Sequence, residues 1–137
     1  MNDWRLDDRL ADDTHPVAQL RLCDVRLMDD SHHPWLVLVP RVAGARELID
    51  LSEARQQALL REVAQASRVL RDRFAPDKLN VAALGNVVAQ LHVHVIARYT
   101  GDIAWPRPVW GHAAARPYTP EALVERVTAL RGDFAAA

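Results

Sequence analysis

The sequence predicts an α+β fold, an antiparallel sheet with helices packed on it. Three observations carry that prediction. Short runs rich in Val, Leu and aromatic residues ("WLVLVPRV", "KLNVAALG", "QLHVHVIARY") recur between turn residues. Two longer stretches repeat apolar residues at helical spacing. The last two strand-like runs are joined by one short glycine-bearing segment, as in a hairpin.

Taken in order, the acidic opening as far as "DDTHPV" reads as a short helix or turn ended by Pro16. In "QLRLCDVRLM" (residues 19–28), Leu20 and Leu22 and then, after a slip, Val25 and Leu27 alternate with polar residues, the pattern of a strand with a bulge. "DDSHHP" supplies turn residues. "WLVLVPRV" is a strand, and Pro40 near its end implies an edge position or a strand terminus. Asp50 and Glu53, spaced as in a capping box, open a helix with Leu59, Val63, Ala66, Leu70 and Phe74 on one stripe, and Pro76 closes it. "KLNVAALG" and "QLHVHVIARY" form an antiparallel hairpin through "GNVVA", where Gly85 can take positive φ. "TGDIAWPRPVWG" is an irregular anchored loop. The last helix starts at Thr119 with Pro120 in its first turn, carries Leu123, Val127 and Leu130, and ends at Gly132.

With 137 residues, 50% of them hydrophobic and 26% charged, the chain suits a single domain over 1–137. Seventeen basic residues against 18 acidic ones give a net charge of −1, and no Lys/Arg run is long enough to follow a phosphate backbone. Polymeric nucleic acid is therefore not an expected partner. Cys23 is the only cysteine and reads as a small buried hydrophobe in a reducing compartment. The opening residues lack an apolar signal core, and no apolar run approaches the roughly 18 residues needed to span a bilayer. The expectation is a cytoplasmic protein with no membrane partner.

The candidate chemistry sits in "QLHVHVIAR". On a strand, Gln90, His92 and His94 project from one face, roughly 7 Å apart at alternate positions, and Leu91, Val93 and Val95 from the other. Three readings follow. The pair could chelate a metal, but a third ligand would have to come from His15, His32, His33, His112 or an acid, and no second motif has metal spacing. The imidazoles could be hydrogen-bonded fillers of a half-buried face. Or they perform nucleophilic catalysis at phosphorus, one neutral ring attacking while a protonated one stabilises oxygens or protonates the leaving group. Backbone N–H groups of "GNVVA" could then cradle phosphate oxygens. The pattern alone leaves all three open.

The wider constellation resembles the histidine triad (HIT) family, whose motif alternates three histidines with apolar residues on a strand. The resemblance covers roughly residues 18–110. "PWLVLVPR" (residues 34–41) resembles the family's strand ending in proline and a basic residue, and the helix after "ELIDLSE" sits where the family has its main helix. "GNV" (residues 85–87) occupies the place of the Gly-Gln-Ser/Thr turn, and "AWP" (residues 104–106) resembles the Trp-Pro of some branches.

The resemblance implies a phosphoramidase, nucleotide hydrolase or nucleotidyl transferase acting at the α-phosphate of a purine nucleoside monophosphate conjugate, through a nucleotidyl-histidine intermediate. It implies a homodimer and requires no metal or cofactor. By that resemblance His92 is the nucleophile and His94 contacts the phosphate oxygens. Gly85 and Asn86 lie in the turn beside the phosphate, and Asp29 and Asp30 are the candidates to hold the ribose hydroxyls. Two positions depart from the family pattern. Gln90 replaces the first histidine and cannot carry a proton, and Val87 replaces the hydroxyl residue near the leaving group. The expectation is an enzyme that is slower or differently tuned. The alternatives are a nucleotide-binding protein without turnover on the same scaffold, and a metal-dependent hydrolase using the His-x-His pair.

Among other residues, His32 and His33 read as solvated turn histidines, with Trp35 in place of an additional family histidine. Arg98 reads as a solvated cation, and Trp105 and Trp110 as anchors of their loop.

Overall fold

The computed structural model describes residues 3–137; Met1 and Asn2, the start of the acidic opening, lie outside the described residues. Five strands, β1 (Thr14–Gln19), β2 (Cys23–Met28), β3 (Trp35–Pro40), β4 (Lys78–Ala82) and β5 (Val93–Arg98), form one antiparallel sheet in the order β1-β2-β3-β5-β4. Helix α1 (Asp8–Asp13) precedes β1, α2 (Glu53–Phe74) joins β3 to β4, and α3 (Pro120–Ala136) is the last element. This is the α+β arrangement the sequence predicts.

Strand β3 is central and buried along its whole length, which explains its unbroken apolar run. Leu36 and Leu38, with Val25, Leu27, Val93 and Val95, face α2 and α3. Trp35, Val37 and Val39, with Ile96, face the other way and meet Leu10 and Val109. The histidine-bearing face therefore carries a second apolar layer, which the alternation in "QLHVHVIAR" did not reveal. Pro40 ends β3 and is a strand terminus.

Helix α2 buries Leu59, Ala66 and Leu70, with Val63 and Phe74 packed partly against the same core. Ser52, not Asp50, is its cap: the Ser52 hydroxyl accepts from the Arg55 N–H, while the Asp50 carboxylate accepts from the N–H groups of Arg46 and Glu47 around a preceding 3-10 turn (Leu48–Asp50). The helix stops at Ala75, in the left-handed region with φ 44°, just before Pro76. Glu62 is buried on this helix and accepts from the Leu22 and Cys23 N–H groups at 2.9 and 2.8 Å. It fastens α2 to the turn between β1 and β2. Burial, with Glu62 alongside, pushes the Cys23 thiol far up, so it is an inert core group.

Four expectations are corrected. Pro16 does not end a helix but lies inside β1, an edge strand, where a residue without an N–H is tolerated. The run 19–28 is not one bulged strand: it holds the end of β1, a turn and β2, so the slip in alternation marks the turn. The bulge lies earlier, between Pro16 and Ala18. Strand β5 starts at Val93 rather than Gln90, because pairing with β3 and β4 begins there. Helix α3 runs through Gly132 to Ala136, held by buried Leu130 and Phe134, whose packing overrides the glycine's poor helix propensity.

Replacing Glu62 by Ala leaves two buried backbone donors without a partner. A stability loss of about 2–4 kcal/mol is expected from the urea unfolding midpoint of Glu62→Ala.

Candidate active site

His94 lies within β5, opposite Val37 of β3 and Ala82 of β4. His92 comes one residue before the strand begins, and both rings stand on the face opposite Val93 and Val95. Their centroids are 4.9 Å apart in an edge-on arrangement, and both side chains are almost fully buried. The connection from β4 to β5 (residues 83–92) turns at Gly85, which takes φ +74° as its residue type allows.

A cavity of about 460 Å³ opens over the pair. Gly85, Asn86 and Val87 line it from the turn, so the structure brings together all of the expected residues of that segment with His92 and His94. Leu10 and Met28 add apolar walls, and Trp35 and Trp110 aromatic ones. Trp110 stands edge-on to His94 at 4.9 Å and to Trp35 at 5.7 Å. It was expected only to anchor its loop. Arg9 and Asp13, on α1, are the other charged side chains in the wall. A smaller cavity of about 260 Å³ adjoins, sharing Leu84, Gly85 and His92 and adding Arg46 and Glu47.

Hydrogen-bond partners fix the two imidazoles in opposite senses. His92 Nδ1 lies 2.6 Å from the Gln90 carbonyl oxygen, which can only accept. Neutral His92 therefore carries its proton on Nδ1 and leaves a lone pair on Nε2. The Trp35 indole N–H, which can only donate, lies 2.9 Å from His94 Nδ1. Neutral His94 accordingly presents Nε2–H as a donor. Burial first, and the neighbouring His92 second, pull the His94 pKa down to about 4. A protonated ring is thus not supplied by His94, which is a neutral donor near pH 7.

Other expected residues fall elsewhere. The Gln90 side chain is turned to the N-terminal segment, its Oε1 accepting from the Asp7 N–H and its Nε2 donating to the Arg5 carbonyl, each at 2.8 Å. Asp29 accepts from the Tyr118 N–H at 3.0 Å, and Asp30 from the His32 and Arg116 N–H groups, so both tie the segment before α3 to the β2–β3 turn. Neither lines the cavity, although Met28 beside Asp29 does.

Arg98 is not a solvated cation. It is 1% exposed and donates to both Asp102 oxygens, to Asn80 Oδ1 and to the Arg107 carbonyl. Burial raises the Asp102 pKa, but the Arg98 guanidinium and the N–H groups of Tyr99 and Ala104 outweigh it and hold the carboxyl well below the usual range. His33 is buried as well, with Nδ1 3.6 Å from Asp102, and its burial lowers its pKa. No local pattern marks these contacts, because the loop that makes them is irregular. Among the described residues, no group of three or more His, Cys, Asp and Glu side chains is placed to hold a metal ion, and no helix is long and apolar enough to cross a membrane.

Two outcomes are expected. Since His94 titrates lower in the folded than in the unfolded chain, the unfolded state takes up its proton first as pH falls. Stability from this group is therefore full above pH 6.5 and declines towards pH 4, by about 3 kcal/mol over the whole window. Urea midpoints measured from pH 7 to pH 4 check this, with His33 adding in the same direction. In Trp35→Phe, ¹⁵N NMR should show the His94 ring losing its single tautomer, with a stability loss of about 1–2 kcal/mol.

The chain matches the HIT domain over residues 10–101. It is similar to the crystal structure of a histidine triad protein from Marinobacter aquaeolei, with 48% identity over 97% of each chain and a TM-score of 0.94. It is also similar to a histidine triad protein from Bradyrhizobium japonicum, with 47% identity over 95% of this chain and 97% of that one and a TM-score of 0.92. A third, from Sinorhizobium meliloti, shares 41% identity over 97% of this chain and 98% of that one, with a TM-score of 0.93. No match is found among the curated proteins.

Proposed function

From the premise that the chain belongs to the histidine triad (HIT) family, we propose that it binds a purine nucleoside monophosphate conjugate and cleaves a P–N or P–O bond at the α-phosphorus through His92. Nucleotide binding and hydrolase-type chemistry are general to the family. The opposed tautomers carry the finer reading: one ring offers a lone pair at Nε2 and its neighbour a proton donor at Nε2, in one cavity.

In the first step the His92 Nε2 lone pair forms a bond to phosphorus. The bond to the leaving group breaks, and the departing atom keeps its electron pair and takes a proton from water. In the second step water attacks the phosphorus, the P–Nε2 bond breaks, and the water's proton is released. The sum is hydrolysis of the conjugate to a nucleoside monophosphate and the protonated leaving group. His94 Nε2–H donates to a phosphoryl oxygen in both steps, and N–H groups of the Gly85–Val87 turn and the Asn86 amide assist. Asn86 is exposed at the cavity and its side chain makes no hydrogen bond within the described residues. We assign the ribose hydroxyls to Asp29, next to cavity-lining Met28; Asp30 is more fully committed to its neighbours. The adjoining cavity with Arg46 and Glu47 gives the conjugate's second half room beside His92.

The test is AMP release from adenosine 5′-phosphoramidate. His92→Asn should lower the rate on the order of 10³-fold or more, as expected for removal of a nucleophile. A wild-type protein that binds AMP and releases none would make the site a nucleotide carrier or sensor.

The partner we propose is a second copy of the chain, seated on β4 and α2. Strand β4 is an open edge, and Val81 and Leu60 are exposed beside an apolar groove lined also by Leu48 and Val93. Sedimentation should give twice the chain mass for the wild type and the chain mass for Leu60→Glu/Val81→Lys.

A further inference from the structure

His94 is neutral, Gln90 cannot carry a proton, and Val87 brings no hydroxyl, so none of these three brings a positive charge to an anionic phosphate in the cavity over the histidine pair. Arg9 is the one Lys or Arg in the wall of that cavity. Its guanidinium makes no hydrogen bond or ion pair within the described residues, and Asp13, one turn along α1, is the one carboxylate in the same wall.

What places Arg9 there is visible in the hydrogen bonds. A side-chain amide offers an acceptor and a donor side by side, and Gln90 uses both on the backbone of one extended segment, at the Asp7 N–H and the Arg5 carbonyl. This is the pairing an adjacent strand would make. Asp7 is also the cap of α1, its carboxylate accepting from the Arg9 N–H at 2.8 Å. The far end of α1 is fixed independently, by the Thr14 hydroxyl donating to the Leu10 carbonyl and by Arg26 donating to Thr14. Trp4 and Leu6, on either side of Arg5, pack on the Trp35 layer. An imidazole at position 90 could not reproduce the amide's two parallel bonds.

We propose that Gln90 is a positioning residue that clamps the N-terminal segment over the site, and that Arg9, held there by the clamp, binds the anionic phosphate group of the ligand. Gln90 then exerts its effect through substrate binding and takes no part in proton transfer. This rests on the nucleotide reading above for the identity of the ligand but not for the clamp.

The experiment compares full-length wild type, Arg9→Gln, Gln90→Leu and the double variant by calorimetric titration with AMP and with adenosine, alongside amide hydrogen exchange at Asp7. Loss of a charge-assisted phosphate contact should weaken AMP binding about tenfold in Arg9→Gln and leave adenosine unchanged. Gln90→Leu should show the same selective loss, the double variant should be no worse than Gln90→Leu alone, and the Asp7 amide should lose protection wherever Gln90 is replaced. Gln90→Glu, which keeps the acceptor for Asp7, should fall between wild type and Gln90→Leu and guards against a leucine variant that fails to fold. Unchanged AMP binding in Arg9→Gln, additive losses, or an Asp7 amide still protected in a folded Gln90→Leu would each overturn the proposal. If the wild type binds neither ligand, the nucleotide reading and the role of Arg9 fall together, while exchange at Asp7 still decides the clamp.

Discussion

A single donor-only group governs the character of the site. The Trp35 indole N–H points at His94 Nδ1 from the neighbouring strand and has no alternative to donating. That one bond sets which nitrogen of His94 faces the cavity with a proton, and the burial that comes with it keeps the ring uncharged. The opposite constraint acts on His92, where a backbone carbonyl demands the proton on the inner nitrogen. Two identical side chains, two residues apart, become chemically unlike because one is met by a donor and the other by an acceptor. The same indole belongs to the apolar layer with Val37, Val39 and Ile96, so packing and polarity are satisfied by one residue.

What could be read from the sequence divides along the range of the contact. Features written in neighbouring residues were legible: the apolar run of β3, the hairpin of β4 and β5, the end of α2 at Pro76 and the alternation that sets His92 and His94 together. Features that depend on a residue far away were not. Arg98 looks like any cation at a strand end until Asp102, Asn80 and Arg107 are seen around it. His33 looks like a turn residue until the same loop covers it. Gln90 shows only what it lacks, a proton, and says nothing of its bonds across 83 and 85 residues to the N-terminal segment. Pro16 and Gly132 misled for a related reason, since both are strong local signals overridden by edge position in one case and core packing in the other.

The loop carrying Trp105 and Trp110 has no regular structure, yet its position is closely specified. Arg98 holds it at two points, Asp102 and the Arg107 carbonyl, and Asp102 accepts further N–H groups from Tyr99, Ala104 and Trp105. A buried charge pair of this kind holds geometry well because four of the five guanidinium N–H groups and both carboxylate oxygens are used, whereas removing one member would strand the other in the interior. The outcome here is that an irregular chain delivers an aromatic ring against His94 as reliably as a strand would.

The strand order has a consequence for how the site comes into being. Strands β1, β2 and β3 follow one another as neighbours, and β4 and β5 form a second local unit, but β3 meets β5 only after α2 has been spanned. Trp35 and His94 are 59 residues apart in the chain. Closing that distance is the largest single loop-closure cost in the sheet, and the local hairpins can form without it. Docking of the two units brings the Trp35 indole to His94 and so fixes the tautomer the site depends on. A chain that has formed its hairpins but not joined them has both histidines and no site, so chemical competence arrives only with the complete fold.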